Sequence, residues 1–354
     1  MEDDARRAYD DARAASLREF CAWPFVVHRP KRLGVAVSGG SDSMALLDLM
    51  AFQARLKGFE IFAVTVDHGL RAEAKEECAF VTAFCATRGI PHTILHWDGW
   101  DGVGNLQAKA RKARYALIQD WATRKGVDWI SLGHTREDQA ETVLMRLARR
   151  SGVDGLAGMP EHFDRGGLHF IRPLLAQSRA DLRDYLRYRK IDWCEDPSNE
   201  DDSFERVRAR KASAVLADLG IDAEALIRVA WHAQSAKRAL DHYLVTEVRE
   251  NGLVEEDRGD LILPENTPAP GAEAPNEIHR RAMNAAIRWI NGAEYPPRAM
   301  SLIHMSAAMI DTDRHTLAGC VFLRLKGRRR YENKLRITRE YNAVKDLVCP
   351  TDQP

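Results

Sequence analysis

The chain has 354 residues, 45% of them hydrophobic and 29% charged, and its 52 basic and 52 acidic side chains cancel to a net charge of zero. This composition is typical of a globular protein, and the length predicts two or three domains. The zero net charge excludes a protein that attracts polyanions by its overall field, and no run of about eighteen apolar residues is present to cross a membrane.

The first residues and the cysteines narrow the class of protein further. The N-terminal Met-Glu-Asp-Asp is acidic where a signal or transit peptide is basic, so a cytoplasmic protein is expected. The six cysteines include no Cys-x-x-Cys pair. This argues against a zinc ribbon, an iron–sulfur cluster or a disulfide scaffold.

Strands and helices alternate through the first half of the chain. An Ala- and Arg-rich segment predicts a helix at 4–20, and a connector follows it up to Pro30. Short apolar segments then predict strands at 33–37, 61–66, 92–96, 129–132 and 168–171. Helical patterns are found at 43–57, 72–88, 105–125, 137–150 and 178–190. This alternation predicts an α/β fold, Rossmann-like, with a doubly wound parallel five-stranded sheet covered by helices on both faces.

The pattern changes after about residue 215. Helical patterns occur as a pair within 213–249 and again at 276–291 and 297–310, whereas short strands are predicted at 261–263, 319–325 and 334–338. A proline-rich segment at 264–275 predicts a loop between the strand at 261–263 and the helix at 276–291. We therefore expect an N-terminal helix and connector at 1–30, an α/β domain at 31–215, and a mostly helical C-terminal domain with a small β element at 216–354.

The segment from Val35 to Ser43, Val-Ala-Val-Ser-Gly-Gly-Ser-Asp-Ser, is the most informative in the chain. An apolar strand ends there in a loop of small residues and a helical pattern follows at once, which places backbone N–H groups and the positive end of a helix dipole at the carboxyl edge of a sheet. We expect this phosphate-binding loop to comprise Ser38, Gly39, Gly40, Ser41, Asp42 and Ser43. It lacks the Lys-Ser/Thr pair of a Walker A loop, and a carboxylate at Asp42 favours Mg²⁺ between it and a polyphosphate. The alternative is an ordinary tight turn.

Polar residues also follow two other predicted strands. Asp67 and His68 come after the second strand, next to the phosphate-binding loop in a parallel sheet. The fourth strand leads into Gly133 and His134, and Asp138 and Glu141 follow on one face of the next helix. A histidine and two carboxylates in that arrangement suit acid/base chemistry or an ammonium ligand. The alternatives are a helix N-cap with acids that favour the dipole, or a metal site, which the spacing does not favour.

Asn105, Arg111 and Arg114 lie on the helix after the third strand, where a solvated helix surface is the alternative explanation. Basic side chains cluster in two further places. Arg206 and Arg210 follow an Asp-Pro-Ser-Asn turn, and a basic segment at 324–339 includes Arg328 and Arg329. Each cluster taken alone is explained by a solvated surface. Together, beside a nucleotide site, they favour a long polyanionic substrate.

The loop at 38–43 resembles the Ser-Gly-Gly-x-Asp-Ser loop of the PP-loop N-type ATP pyrophosphatases. Further segments of residues 30–212 resemble the tRNA(Ile)-lysidine synthases within that group. These are Val-Asp-His-Gly-Leu-Arg at 66–71, Asn105 with 111–115, Gly-His-Thr with Asp-Gln-Ala-Glu-Thr in 133–142, Arg-Pro-Leu-Leu at 172–175, and Asp-Pro-Ser-Asn at 196–199. Two positions depart from the usual pattern, Glu137 in place of aspartate and Val207 in place of asparagine.

The resemblance implies a two-step reaction with ATP and Mg²⁺. The C2 oxygen of the wobble cytidine of tRNA(Ile) with a CAU anticodon would attack the α-phosphate of ATP, and free L-lysine would then displace AMP. Codon reading would change from AUG to AUA. No membrane partner is expected, and a homodimer is left open.

The resemblance also assigns roles to the candidate residues. Asp42, His134, Asp138 and Glu141 would be catalytic, with Asp42 holding Mg²⁺ through the pyrophosphate. The division of labour among the other three is left open. ATP binding would involve residues 38–43 with Asp67, His68 and Gly133, and lysine binding would involve Asp138, Glu141 and Arg111. The tRNA would contact Asn105, Arg114, Arg206, Arg210, Arg328 and Arg329, with the C-terminal domain contributing.

Two other functions are compatible with the loop alone. A PP-loop tRNA thiolase shares the loop and the adenylation step, but such enzymes generally carry paired cysteines, and this sequence has none at such a spacing. A non-catalytic module that binds ATP and docks on RNA needs no acid such as Asp42, and no His134–Asp138–Glu141 set. Amidotransferases with this loop need an ammonia source, for which the sequence offers no segment.

Overall fold

A computed structural model describes residues 2–69, 73–100, 103–195, 205–251, 254–255, 260–264, 273–293, 296–325 and 334–340. The chain forms two compact units, residues 1–234 and 235–354. The boundary between residues 234 and 235 lies inside a long helix. The pattern of elements in the sequence changes earlier, at about residue 215. Among the described residues, none of the helices is both long enough and apolar enough to span a membrane.

The first unit contains a six-stranded sheet. Its strands are β1 (Arg32–Ala36), β2 (Glu60–Asp67), β3 (His92–His96), β4 (Trp129–Ser131), β5 (His162–Arg165) and β6 (Leu168–Ile171). They are ordered β3-β2-β1-β4-β6-β5, and only β5 is antiparallel to its neighbour. The five strands predicted from the sequence are all present and parallel, so the prediction of a doubly wound parallel sheet is confirmed. The edge strand β5 was not predicted.

Helices cover both faces of this sheet. They are α1 (Glu2–Phe20), α2 (Pro24–Val27), α3 (Ser41–Lys57), α4 (Ala74–Thr87), α5 (Leu106–Lys125), α6 (Arg136–Ala148), α7 (Val153–Leu156), α8 (Arg179–Arg189), α9 (Glu205–Ala217) and α10 (Ala223–Asn251). One apolar core joins α1, α3, α4 and α8 to the strands, and a second core is centred on Ile118 and Trp121 of α5. Such two-sided burial explains why the strands are almost wholly apolar.

The order of the strands places the functional loops. The chain runs outward from β1 through β2 to β3 and then crosses to β4 on the other side of β1. The direction of winding therefore reverses between β1 and β4, where the loops that follow the two strands diverge and leave a crevice. The phosphate-binding loop follows β1, and the segment from Gly133 to Thr135 follows β4, so both lie at this crevice.

The second unit is helical with a five-stranded antiparallel sheet. Helices α11 (Glu273–Asn291) and α12 (Ala299–Asp311) pack with β7 (Val254–Glu255), β8 (Leu261–Pro264), β9 (Arg314–Leu317), β10 (Cys320–Leu325) and β11 (Lys334–Arg339). Its core includes Met283, Ile287, Met305, Phe322 and Ile337. The predicted helices and three predicted strands are present. The sheet is larger than the small β element expected, because β7 and β9 are too short and too polar to be recognised from sequence.

Candidate active site

The phosphate-binding loop is folded by its own serines. Gly39 has φ +95°, a conformation that favours glycine, and lets the chain turn sharply after β1. Ser43 Oγ donates to the carbonyl of Gly40 at 3.0 Å and accepts from the Ser38 N–H at 3.1 Å. Since Gly40 is the N-cap residue of α3, no side chain is available at that position to cap the helix. The helix N-terminus is therefore arranged to receive an anion.

Arg179, at the start of α8, joins the carboxylates of the site. Its guanidinium donates to Asp42 Oδ2 at 3.1 Å and to Asp138 Oδ1 at 2.8 Å, and it lies 3.6 Å from Glu141 Oε1. Arg210 of α9 donates to the same Glu141 oxygen at 3.0 Å. The predicted acids of two separate loops are thus brought together around one cation.

The charges of this group are held by their neighbours. Burial raises the pKa of Asp42 above its ordinary value, although Arg179 opposes that shift. Burial acts in the same direction on Asp138, but there Arg179, together with His134 and the Thr135 N–H, outweighs it and holds the pKa below its ordinary value. The carboxylates in turn hold the pKa of Arg179 above its ordinary value despite its own burial. Asp138 is therefore ionised throughout the neutral range, whereas the charge on Asp42 is costly.

Asp138 and Glu141 use their oxygens differently. Asp138 Oδ2 accepts from the Thr135 N–H at 2.8 Å and from Thr135 Oγ1 at 3.0 Å, which closes a capping box at the start of α6. The capping alternative considered for Asp138 thus holds for one of its oxygens, while the other faces Arg179. Glu141 is buried, and its Oε2 has no hydrogen-bond partner among the described residues. An oxygen in that state is available to a ligand.

The segment after β4 packs directly on the phosphate-binding loop. A Cβ added to Gly133 would lie 3.3 Å from Ser43 Cα and 3.4 Å from the Asp42 backbone, so glycine permits the contact. His134 Nδ1 accepts a hydrogen bond from Arg172 Nε at 3.1 Å. Burial, together with this guanidinium, lowers the pKa of His134 to about 3. His134 is consequently neutral at pH 7, and its free nitrogen is a hydrogen-bond donor.

These elements surround a cavity of about 630 Å³. The predicted residues that line it are Ser38, Gly40, Ser41, Asp42, Ser43, Arg114, Gly133, His134, Asp138, Arg206 and Arg210. Apolar residues of the strands and α5 also line it, and five further charged or thiol side chains line it without having been predicted, namely Glu77, Arg179, Arg183, Cys194 and Glu195. The cavity therefore combines hydroxyls, carboxylates and guanidinium groups at one edge of the sheet.

Several predicted residues are engaged elsewhere. Asp67 Oδ1 accepts from the Gly69 N–H at 2.8 Å and so stabilises the turn after β2. His68 Nε2 lies 3.2 Å from Arg114 Nη2, and burial lowers the pKa of His68 to about 4. Neither residue is part of the cavity lining.

Two of the three residues predicted on the helix after the third strand are also occupied. Asn105 is the N-cap of α5 and accepts from the Ala108 N–H at 3.1 Å. Arg111 lies over the Tyr115 ring, with its guanidinium carbon 5.3 Å from the ring centroid. Arg328 and Arg329 lie outside the described residues.

Arg179 is the main site residue that the sequence analysis missed. It occupies the first turn of α8, where a positive charge is unfavourable to the helix dipole. A cation at such a position indicates an acidic partner elsewhere in the chain. This unfavourable placement is the sequence signal by which Arg179 could have been identified. Glu137, one of the two unusual positions, accepts from the Arg179 backbone N–H at 3.0 Å and so fixes the start of α8. Val207, the other, is buried on α9.

Comparisons with known proteins place this geometry in context. A family model described as a PP-loop domain matches residues 12–215. A tRNA(Ile)-lysidine synthase of Ruegeria pomeroyi is 44% identical over 326 residues, which are 92% of this chain and 75% of that protein. One of Wolbachia pipientis wMel is 34% identical over 91% of this chain and 74% of its own length.

Among solved structures, the U34-tRNA thiolase NcsA from Methanococcus maripaludis, with its [4Fe-4S] cluster, resembles the chain with a TM-score of 0.54. The sequence identity is 16%, and the match covers 63% of this chain and 80% of that one. At this identity the similarity concerns the fold alone.

Replacing Arg179 with methionine should lower the free energy of unfolding at pH 7 by about 3 kcal/mol, because buried carboxylates lose their shared cation. The difference should narrow below pH 3.8, the ordinary value for aspartate, since Asp138 with its lowered pKa stabilises the fold only while ionised. Chemical denaturation across this pH range measures both effects. Arg183→Met is the control, because its partner Glu195 is exposed and the pair is worth less than about 1 kcal/mol. Equal losses in the two variants would contradict the central role of Arg179.

His134 should remain neutral between about pH 5 and pH 8. Its ring resonances in NMR spectra should therefore not shift over this range. Arg172→Met removes a nearby positive charge, so the pKa of His134 should rise toward its ordinary value. A midpoint near 6.5 for His134 in the unaltered protein would refute this assignment.

Proposed function

The chain belongs to the tRNA(Ile)-lysidine synthase family and carries its PP-loop domain, and from this premise we infer how its residues divide the reaction. It is an ATP-dependent ligase that joins lysine to C2 of the wobble cytidine of tRNA(Ile) with a CAU anticodon. An adenylated tRNA is the intermediate, and the product pairs with A instead of G. We place this reaction in the cytoplasm, together with its ATP and tRNA.

One observation carries the proposed division of roles. Asp42 of the phosphate-binding loop and the pair Asp138 and Glu141 of α6 meet at Arg179. Asp42, Asp138 and Arg179 line one cavity, and Glu141 is buried beside them. A site that only binds nucleotide needs the loop but not the pair on α6. A site that first activates an oxygen with ATP and then brings in an amine needs both, at adjacent positions.

For the first step, we propose that the loop and α3 hold the phosphates of ATP. The cytidine C2 oxygen attacks the α-phosphate, the bond to pyrophosphate breaks, and negative charge grows on the leaving group. Backbone N–H groups at the α3 N-terminus and the neutral His134 face that charge as fixed donors. Their positions are set before ATP arrives, because the serines of the loop already hold its fold.

The residues also fit a magnesium ion. Mg²⁺ prefers oxygen ligands, and the site offers the Asp42 carboxylate, which is costly to ionise without a nearby cation. When bound, Mg²⁺ would neutralise charge on the pyrophosphate. Asp42 would hold the ion, and the Arg179 N–H group that now donates to Asp42 would then be available to Asp138 and Glu141.

For the second step, we propose that Asp138 and Glu141 receive lysine. The ε-amine must lose a proton before it attacks C2 and the bond to the AMP oxygen breaks. Glu141 Oε2 is buried without a hydrogen-bond partner among the described residues, so it is suited to accept from an ammonium group or to take its proton. We propose that Arg111, whose positive charge contributes to lowering the pKa of His134, attracts the lysine carboxylate.

For tRNA, we propose contacts along the rim of the cavity. Arg206 of α9 is exposed there and has no hydrogen-bond partner among the described residues, so its charge is available to a phosphate. Arg114 lies on the same rim. Arg210 is already bound to Glu141, which makes it a link between α9 and the lysine site. We extend the proposal to the C-terminal unit through Arg328 and Arg329.

The cysteines argue against the thiolase alternative. Burial raises the pKa of Cys85 and Cys320 to about 11 and that of Cys21 to about 12, which leaves little reactive thiolate at pH 7. Within the described ranges, one group of three side chains is close enough together to hold a metal ion, His162, Asp164 and His169, and it contains no cysteine.

Transfer of labelled lysine tests the function directly. The protein is incubated with ATP, Mg²⁺, labelled lysine and a tRNA(Ile) transcript with a CAU anticodon, and the label is measured in RNA. The matched control is the same transcript with a UAU anticodon, which lacks the cytidine. Pyrophosphate release without lysine in the RNA, or transfer of labelled sulfur instead, would contradict the assignment.

Asp42→Asn should reduce adenylation by about 100-fold, since it removes one strong electrostatic group without changing the size of the side chain. The free energy of unfolding should not fall, because the raised pKa of Asp42 means that its charge opposes folding at neutral pH. Pyrophosphate release and denaturant titration measure the two quantities. Near-normal pyrophosphate release would exclude the role of Asp42.

Glu141→Gln should still form the adenylated tRNA but use lysine poorly, chiefly through a higher KM for lysine. The conservative change keeps the shape of the side chain and removes its ability to take a proton. Single-turnover assays with and without lysine separate the two steps. Glu224→Gln, at an exposed position of α10, is the control. Equal loss of both steps would indicate a structural role for Glu141.

Arg206→Gln should weaken tRNA binding most at low salt and reduce the slope of log affinity against log salt by roughly 0.7 to 0.9. Affinity for ATP should hardly change. Arg124→Gln is the control, because Arg124 is exposed at the C-terminal end of α5, which precedes β4 and lies at the opposite edge of the sheet. An unaltered slope for Arg206→Gln would place the tRNA elsewhere.

A further inference from the structure

The edge hairpin of the first sheet has two different faces. Gly166 and Gly167, with φ +58° and +77°, form a two-residue turn that joins β5 to β6. Side chains alternate along both strands. On one face the rings of Phe163 and Phe170 stack with centroids 4.9 Å apart, and Phe170 packs against Tyr115. The other face carries none of these apolar side chains.

That second face brings together three metal-ligating residues. His162 and Asp164 are two residues apart on β5, and His169 lies directly opposite Asp164 on β6. One ligand atom from each of the three lies within 4.8 Å of the other two. His169 Nδ1 is 2.7 Å from Asp164 Oδ1, and His162 Nε2 is 3.2 Å from the same oxygen.

Ordinary hydrogen bonding does not account for the whole group. Both imidazoles approach the single oxygen Asp164 Oδ1, and His162 Nε2 is buried without a hydrogen-bond partner among the described residues. The Trp129 ring backs both imidazoles, with centroids 5.5 Å from His162 and 4.6 Å from His169. The rings are therefore held in place rather than free to turn toward solvent.

We propose that His162, Asp164 and His169 form a binding site for a divalent transition metal of the Zn²⁺ class. Two imidazole nitrogens and one carboxylate oxygen are ligands that zinc accepts, and water would complete a tetrahedral shell. Bonds of about 2.0 to 2.2 Å in that geometry separate ligands by about 3.3 Å. The two observed His–Asp distances, 2.7 and 3.2 Å, require only small movements, and the two imidazole nitrogens, within 4.8 Å of each other, would have to move closer together.

Such an ion would join β5 to β6 at the open edge of the sheet. Strand β6 ends at Ile171, and the next residue, Arg172, donates to His134 in the cavity. The metal would therefore stabilise the strand from which this hydrogen bond is positioned, without entering the reaction. The inference does not depend on the proposed function, since binding is measured without ATP or tRNA.

Cobalt and zinc binding test the site. The full chain, without a polyhistidine tag and stripped with a chelator, is titrated with Co²⁺, whose visible absorption reports tetrahedral coordination, and then with Zn²⁺ by calorimetry. Zn²⁺ should displace Co²⁺ at one site per chain and raise the Tm. His169→Gln and Asp164→Asn should abolish the absorption and the rise in Tm, whereas His232→Gln should preserve both.

Measurements on the unaltered protein give the first decisive result. Absence of Co²⁺ absorption together with absence of a Zn²⁺-dependent rise in Tm would overturn the proposal without reference to any variant. Binding that persists in both His169→Gln and Asp164→Asn would overturn it as well, because the ion would then lie elsewhere. Should one variant fail to fold, loss or persistence of metal binding in the other variant still decides whether the ion lies at this site.

Discussion

The contact between Arg179 and the carboxylates of two loops is the interaction on which the rest of the site depends. Asp42 and Asp138 come from different crossovers of the sheet, and each is buried enough that its charge needs compensation. One guanidinium supplies it to both. The cation already occupies carboxylate oxygens that the proposed function assigns to Mg²⁺ and lysine, so either ligand would have to compete with it for them.

The topology makes that contact geometrically possible. Because the winding of the sheet reverses between β1 and β4, the loops after these strands diverge from a common edge. Helix α8 then returns to the same edge, and its first residue is Arg179. The cation sits at the helix end that disfavours it, a cost that the carboxylates offset. The helix dipole thus disfavours an arginine at this position, and the contacts of Arg179 with the carboxylates outweigh that local preference.

The sequence was sufficient for features that depend on short-range pattern. The apolar strands, the glycine turn at the phosphate-binding loop and the acids on one face of α6 all follow from spacing. Arg179 was not accessible in this way, because its partner Asp42 is 137 residues away along the chain. Nor could spacing distinguish a functional side chain from a structural one, since Asn105 serves as a helix cap and Asp67 as the acceptor of a turn.

Gly133 adds a mechanical consequence. Its missing side chain lets the segment after β4 touch the backbone of Ser43 and Asp42, with nothing compressible between them. A side chain at position 133 would push this segment away from the phosphate-binding loop, and with it the start of α6, where Asp138 holds the capping box. The separation between Asp42 and Asp138 across the crevice is therefore set by the absence of a single methyl group.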